Sequence, residues 1–118
     1  MPELLKPVYW LGSSKKELLT MPDAVIDVFG YALHLAQSGK KHCQAKPLKG
    51  FGGSGVLEVV ENYMGDTYRA VYKVKIAEKV YVLHCFQKKS TKGIETAKHD
   101  IELIGERLKA AYLHAKGA

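Results

Sequence analysis

The chain has 118 residues, of which 47% are hydrophobic and 25% are charged. This length suits one domain over residues 1–118, and the composition excludes a disordered protein. The formal net charge is +6, and the excess is local, since residues 40–92 hold eleven Lys or Arg against four Asp or Glu. A concentrated positive field favours RNA, DNA or an acidic protein as partner, unless it serves solubility alone.

The cysteines and the N-terminus bear on the compartment. Cys43 and Cys85 form neither a metal motif nor a disulfide framework, which is typical of a reducing cytosol. No apolar signal region follows Met1-Pro2-Glu3, and no apolar run reaches the ~20 residues that span a bilayer. The sequence therefore predicts a cytoplasmic protein with no membrane partner. Its five histidines show no metal-ligand spacing, so we expect neither a metal nor a cofactor.

The first part of the chain reads as one strand and two helices. The apolar run 8–11 predicts a strand, and Ser13 or Ser14 then caps a short helix that ends near Leu19. Pro22 suits the first turn of a second helix, which ends at Ser38-Gly39. Apolar residues at helical spacing predict its core stripe: Val25, Ile26, Phe29, Leu33 and Ala36.

The second part reads as a long loop, three strands and a helix. Residues 39–55 are irregular and contain five of the eleven glycines. Strands are predicted over 56–63, 67–76 and 80–87, and their short connections make them an antiparallel meander. A last helix is predicted over 91–116. Its buried stripe is Ala97, Ile101, Ile104, Leu108, Ala111 and Ala115, and its outer side is acidic through Glu95, Asp100, Glu102 and Glu106.

This order of elements predicts an α+β fold. We expect a small antiparallel sheet, made of the N-terminal strand and the three-strand meander. Two N-terminal helices and one C-terminal helix pack on it.

The glycine-rich segment 46–55 carries Lys46 and Lys49. Glycines let a backbone approach phosphate closely, so that the two lysines can hold phosphates as point charges. The Gly-x4-Gly-Lys-Ser/Thr order of a nucleotide-binding loop is absent, so no ATPase is indicated. The segment is predicted to contact RNA, the alternative being a mobile surface loop with solvating lysines.

Arg69 is one of only two arginines beside sixteen lysines, and it lies inside a predicted strand. A planar guanidinium can bind phosphate through two hydrogen bonds. Arg69 is therefore a candidate catalytic residue. The alternative is a structural salt bridge to Glu58 or Glu61 on the neighbouring strand.

Three further lysines extend the basic region. Lys73 lies on the same strand as Arg69, and Lys88 and Lys89 follow one another where the last strand ends. Alternation places Lys88 and Lys89 on opposite faces, so that only one of them shares the face of Arg69. We predict RNA contacts for Lys73 and Lys88, and the end of a strand that leads into a loop is a suitable place for a catalytic group.

Tyr72 and His84 are the candidate groups for proton transfer. A tyrosine can stack on a base or donate a hydrogen bond. His84 lies within a predicted central strand, where it is either a catalytic base or a satisfied core histidine. Glu58 and Glu61 have the wrong spacing to share a strand face. A two-metal nuclease needs clustered acids, so a metal-independent reaction fits better.

Taken in this order, these motifs resemble the RelE/HigB toxin superfamily, in its phage-derived HigB-like branch. The resemblance spans residues 8–108 and rests on five segments of the sequence, namely 10–18, 46–55, 56–58, 68–72 and 82–90. It implies a RelE-like fold and a type II toxin that cuts mRNA at the ribosome. The implied partners are mRNA, the ribosome and a co-encoded helix-turn-helix, HigA-like antitoxin.

The resemblance also implies roles for individual residues. Toxins of this superfamily use the 2′-hydroxyl of the RNA as nucleophile, without a metal. Arg69 matches their phosphate-binding strand arginine, and Lys89 matches the cationic residue after the last strand. Many relatives carry a tyrosine or histidine just beyond, where residues 90–94 supply neither.

The general base is therefore open. Tyr72, His84, Glu58, a lysine of lowered pKa or a group of the ribosome can serve. Two other functions also remain open: a ParE-like toxin that inhibits DNA gyrase, and a non-catalytic nucleic-acid binding module.

Overall fold

The computed structural model describes residues 5–51, 55–88 and 96–117. Within them the chain forms five strands and three helices. In chain order these are β1 Val8–Trp10, α1 Ser14–Leu19, α2 Asp23–Gln37, β2 Ala45–Pro47, β3 Val56–Tyr63, β4 Asp66–Ile76, β5 Lys79–Lys88 and α3 Lys98–Gly117.

The strands form one sheet in the order β1-β5-β4-β3-β2. The pairs β2–β3, β3–β4 and β4–β5 are antiparallel, as the predicted meander requires, and β1 runs parallel to β5. The α+β prediction is confirmed. Two details differ: β1 is parallel because α1 and α2 separate it from the meander, and β2 is a strand inside the segment predicted to be irregular.

The sheet separates two apolar clusters. On one face α2 inserts Val25 and Phe29 against Val59, Tyr72 and Val82. On the other face α3 packs against the sheet through Ile104 and Ala111, which join Val71, Tyr81 and Leu83. The two faces are called here the α2 face and the α3 face.

The predicted stripe of α2 is confirmed, since Val25, Phe29, Leu33 and Ala36 are buried and Ile26 is half-buried. Ser38 caps the end of the helix and donates its backbone N–H to the carbonyl of His34. Gly39 follows with φ +77°. A left-handed residue after the last turn is a common way to end a helix.

The C-terminal helix departs from the prediction at its start. The described part begins at Lys98, and residues 91–95 lie outside the described residues. Ala97 precedes the helix and is exposed, so its place in the buried stripe is wrong. The prediction that Asp100 lies on the solvated outer side is also wrong, because its carboxylate contacts His84 on β5.

A register shift in β5 sets up the contact with α3. Val71 pairs with His84 whereas Tyr72 pairs with Val82, so Leu83 is an extra residue on its strand. Such a bulge re-aims the side chains beside it. Leu83 packs in the α3-face cluster, and the adjacent His84 also reaches α3.

The described helices include none that is both long and apolar enough to cross a membrane.

Candidate functional site

Arg69 lies on the α3 face of β4 and is 5% exposed. Its Nη1 donates to Glu58 Oε2 at 2.7 Å and to the Thr96 hydroxyl, just before α3, at 3.2 Å. The ion pair between Arg69 and Glu58 is the structural alternative that the sequence left open. It fixes the guanidinium at the place where β3, β4 and the start of α3 meet.

Arg69 also lines a pocket of about 480 Å³, called here the Arg69 pocket. The pocket brings together three cations that the sequence singled out, because Lys46 and Lys49 line it as well. Its walls come from β2 and the following loop, from β3 and β4, and from the start of α3. The lining residues are Lys46, Pro47, Leu48, Lys49, Gly50, Glu58, Arg69, Thr96 and Ile101.

The charges of the Arg69 pocket favour an anion. Lys46 Nζ lies 3.7 Å from Glu58 Oε1, and the Lys46 side chain is 60% exposed while that of Glu58 is 7% exposed. Glu58 therefore lies between two cations, and Lys49 adds a third positive charge. Among the described lining residues, three cations stand against one carboxylate, and this positive excess suits a phosphate group.

Lys88 is the last residue of β5 and lies on the same face of the sheet as Arg69. Phe86 is the cross-strand partner of Arg69 and packs in the α3-face cluster. Alternation therefore places the half-buried Lys88 on the face of Arg69. Lys89 lies outside the described residues.

Tyr72 does not join the Arg69 pocket. It packs in the cluster of the α2 face, on the other side of the sheet, and is 1% exposed. Burial raises the pKa of its hydroxyl to about 12. Within the described parts of the chain the hydroxyl has no hydrogen-bond partner. The structure thus separates Tyr72 from Arg69 by the thickness of the sheet.

Lys73 is also held away from solvent. It is 4% exposed, its Nζ donates to the Val74 carbonyl at 2.7 Å, and it lies 5.9 Å from the ring centroid of Tyr112. Burial, and then the charge of Lys75, lowers the pKa of Lys73. The structure therefore does not offer Lys73 as a surface contact for RNA.

His84 lies at the centre of a polar cluster beneath the start of α3. Its Nδ1 is 3.0 Å from Glu17 Oε1 on α1, and its Nε2 is 2.9 Å from Asp100 Oδ1 on α3. The ring is 6% exposed and stacks on Phe86, with centroids 4.4 Å apart. His84 is thus a satisfied histidine outside the Arg69 pocket.

Arg107 completes this cluster from the third turn of α3. It donates to the Leu83 carbonyl at 2.8 Å and to Glu17 Oε1 at 3.1 Å. Burial raises the pKa of the Glu17 carboxyl, but hydrogen bonds from Arg107, His84 and the Cys85 N–H outweigh it, and the net pKa is lowered. Hydrogen bonds and ion pairs of these side chains thereby connect α1, β5 and α3.

Sequence reasoning missed the parts of the site that depend on long-range contacts. Glu17 and His84 are 67 positions apart, and Arg107 and Glu17 are 90 apart. No local pattern marks such pairs. Thr96 and Ile101 were likewise missed as pocket residues, because α3 brings them to β4 only after folding. Across the described ranges no group of three or more His, Cys, Asp or Glu side chains has a metal-binding arrangement.

The fold and site define an α+β protein with a basic pocket on one face of its sheet. The family described as "Phage derived protein Gp49-like (DUF891)" matches residues 16–109. The chain therefore belongs to this phage-derived, Gp49-like family, whose members are similar to the toxins of toxin–antitoxin systems. Comparisons with curated proteins and with solved structures gave no match.

Proposed function

We propose that this chain is the toxin of a type II toxin–antitoxin system, in the RelE/HigB superfamily, and that it is a metal-independent, ribosome-associated mRNA endoribonuclease. The observation that carries the proposal is the convergence of Arg69, Lys46 and Lys49 on one net positive pocket. Membership of the toxin-like Gp49 family and the basic segment 40–92 support it.

The proposed reaction uses the RNA as its own nucleophile. The 2′-oxygen loses its proton and forms a bond to phosphorus while the bond to the 5′-oxygen breaks. The leaving 5′-oxygen takes a proton from water, so that a 2′,3′-cyclic phosphate and a 5′-hydroxyl end result. Negative charge builds up on the phosphate oxygens as the attack proceeds. Cations that are already fixed in place stabilise this charge without reorganising during the reaction. Arg69 meets that condition because Glu58 and Thr96 hold its guanidinium.

Glu58 is the general base that the geometry favours. The 2′-hydroxyl must lose a proton, and Glu58 is a carboxylate on the wall of the Arg69 pocket. Tyr72 lies across the sheet, and both ring nitrogens of His84 face carboxylates. A carboxylate oriented by Arg69 accepts a proton within reach of the phosphate that Arg69 binds.

The proposed partners follow from the same surface. A helix-turn-helix, HigA-like antitoxin would neutralise the toxin by covering the Arg69 pocket or by blocking its entry into the ribosome. The toxin would act in the cytoplasm, where translated mRNA is found, as a single domain over residues 1–118. Positive charge on the toxin speeds association with an acidic partner and makes that association sensitive to salt.

The experiment is cleavage of a defined mRNA on purified ribosomes, with cut sites mapped by primer extension. The wild type should cut, and Arg69→Lys should cut about 100-fold or more slowly, because a lysine keeps the charge and loses the planar fork. Lys109→Ala, an exposed position on α3, is the control and should match the wild type. Removal of added metal by EDTA, with the magnesium that ribosomes need controlled for, should leave cleavage intact.

Growth arrest without mRNA loss would overturn the nuclease proposal. If arrest came instead with DNA-damage signalling and intact messages, the chain would be a ParE-like inhibitor of gyrase. If expression neither arrested growth nor changed RNA, a non-catalytic binding module would remain.

A further inference from the structure

His84 occupies a position that the proposed reaction does not use. An ionised carboxylate accepts hydrogen bonds and donates none, so a histidine that bonds two carboxylates carries a proton on each nitrogen. Glu17 Oε1 and Asp100 Oδ1 lie 3.0 Å and 2.9 Å from the two ring nitrogens. Arg107 Nη1 is also near Nδ1, but at 3.5 Å it is farther than Glu17. The ring is therefore held between two carboxylates, one from α1 and one from α3.

The contact with Asp100 bears on the wall of the Arg69 pocket. Asp100 is in the first turn of α3. The backbone N–H of Ile101 donates to the carbonyl of Ala97, which ties Ile101 to the residues just before the helix. Thr96 and Ile101 both line the Arg69 pocket, and Thr96 contacts Arg69 directly. A fixed Asp100 therefore fixes one wall of that pocket.

His84 also contacts the strand residue that pairs with Arg69. The Phe86 ring stacks on the His84 ring with an interplanar angle of 16°, and Phe86 is the cross-strand partner of Arg69. His84 thus joins the strand beside Arg69 to Asp100 in the first turn of α3.

We propose that His84 is a positioning residue, which clamps Asp100 and so holds the start of α3 against Arg69. Its role is to keep Thr96 and Ile101 in place, and it does not itself touch the phosphate. The inference rests on the proposed function only for its cleavage readout, since the position of α3 is measured without RNA cleavage.

The clamp depends on the second proton of the imidazole. The charged groups that face the ring are Glu17 from α1 and Asp100 and Arg107 from α3, while β5 contributes the uncharged Phe86. Loss of one ring proton removes one of the two hydrogen bonds to carboxylates. The start of α3 should therefore loosen when His84 is replaced by a side chain that cannot bond both carboxylates.

Hydrogen–deuterium exchange of the full-length protein tests this inference directly. His84→Gln should raise exchange about tenfold or more at amides 101–104, because a hydrogen bond to a carboxylate is lost, while β4 stays protected. Asp100→Ala should do the same, and the double variant should add little to either single variant. His99→Ala is the matched control. His99 lies 3.8 Å from Asp100, but its side chain is 79% exposed, so exchange should not change.

A merely structural role is separated by RNA binding. Affinity for a 2′-O-methyl RNA oligonucleotide, which cannot be cut, should fall in a folded His84→Gln protein and stay unchanged in His99→Ala. Unchanged exchange at 101–104 in a folded His84→Gln protein would overturn the inference. So would faster exchange throughout the chain, which would mean simple destabilisation. If the wild type failed to cut RNA, the proposed function would fail, and the exchange result would still decide the role of His84.

Discussion

Arg69 and Glu58 form a buried ion pair, with Nη1 and Oε2 2.7 Å apart and both side chains less than a tenth exposed, at 6% and 7%. Taking two charges out of water is costly, and their mutual attraction repays that cost only while both partners are present. The pair therefore fixes the guanidinium that we propose to bind phosphate, and it also makes the fold depend on that guanidinium.

Removal of Arg69 alone should destabilise the protein. Arg69→Ala leaves the Glu58 carboxylate buried without its main partner, so we expect the free energy of unfolding to fall by about 3–5 kcal/mol. Urea denaturation followed by circular dichroism measures the change. The double variant Arg69→Met, Glu58→Leu removes both charges and should lie closer to the wild type. Equal stability of Arg69→Ala and the wild type would show that the pair is not buried in solution.

The lysines of the Arg69 pocket should contribute to RNA affinity through charge. Lys46→Ala and Lys49→Ala should each weaken binding to all RNA sequences alike and reduce the salt slope by about one. Fluorescence anisotropy with a 2′-O-methyl oligonucleotide at several salt concentrations measures both quantities. Lys109→Ala, on the exposed side of α3, serves as the control. An unchanged salt slope in both pocket variants would show that the RNA does not bind in this pocket.

Glu17 should make the protein sensitive to acid. Its pKa is lowered on folding from a usual value near 4.5, through its hydrogen bonds to Arg107, His84 and the Cys85 N–H, although burial opposes them. A lowered folded pKa adds stability at pH values above the usual one, and this stability is lost as the pH falls through the folded pKa. Urea midpoints from about pH 6 down to about pH 3 should fall less steeply in Glu17→Gln than in the wild type. Parallel curves would contradict the prediction.

Two glycines should respond in opposite directions to alanine. Gly30 lies inside α2 with nothing within 4 Å of an added Cβ, so Gly30→Ala should stabilise the protein by about 0.5–1 kcal/mol. Gly55 has φ +76°, and an added Cβ would lie 2.8 Å from Lys73 Nζ and 3.1 Å from the Val74 carbonyl oxygen. Gly55→Ala should destabilise the protein by about 1–3 kcal/mol.

Thermal denaturation of both glycine variants and the wild type measures these changes. A rise in melting temperature for Gly55→Ala would mean that the backbone there is not in the left-handed region.

The outer side of α3 should be dispensable for cleavage. Glu102 and Glu106 are exposed, and carboxylates repel phosphate, so RNA should not approach this side. The charge reversals Glu102→Lys and Glu106→Lys should leave the cleavage rate within about twofold of the wild type, as is usual for exposed positions away from a site. A complete loss of cleavage in the folded double variant would show that RNA binds the outer side of α3, and the proposed position of the RNA would be wrong.

The sequence predicted those elements whose signal is local. The predicted bounds of β3 agree with Val56–Tyr63, and the apolar stripe of α2 is buried as its spacing indicated. The short β2 was missed because Lys46-Pro47 in a three-residue strand has no apolar alternation to detect. Asp100 was assigned to solvent because helical spacing alone does not show that a bulge on β5 turns His84 towards α3.

The same division holds for the site. Residue type and strand position were enough to select Arg69, Lys46 and Lys49, which meet in one pocket. They did not decide whether Arg69 binds Glu58 or a ligand, since that depends on the register of β3 against β4 and on a contact with Thr96. Tyr72 and Lys73 were chosen as candidate site residues by their residue type, but both side chains are buried.

The edge strand β2 bears on self-association. Leu48 donates its N–H to Val56 on β3, so the alternate residues Ala45 and Pro47 direct their backbone nitrogens away from the sheet. The Ala45 N–H is already donated to the His42 carbonyl, and proline has no N–H to donate. Within Ala45–Pro47, then, no outward N–H is left to template a strand from another copy of the chain. The proline that lines the Arg69 pocket thus also disfavours pairing of this sheet edge with a strand from another copy of the chain.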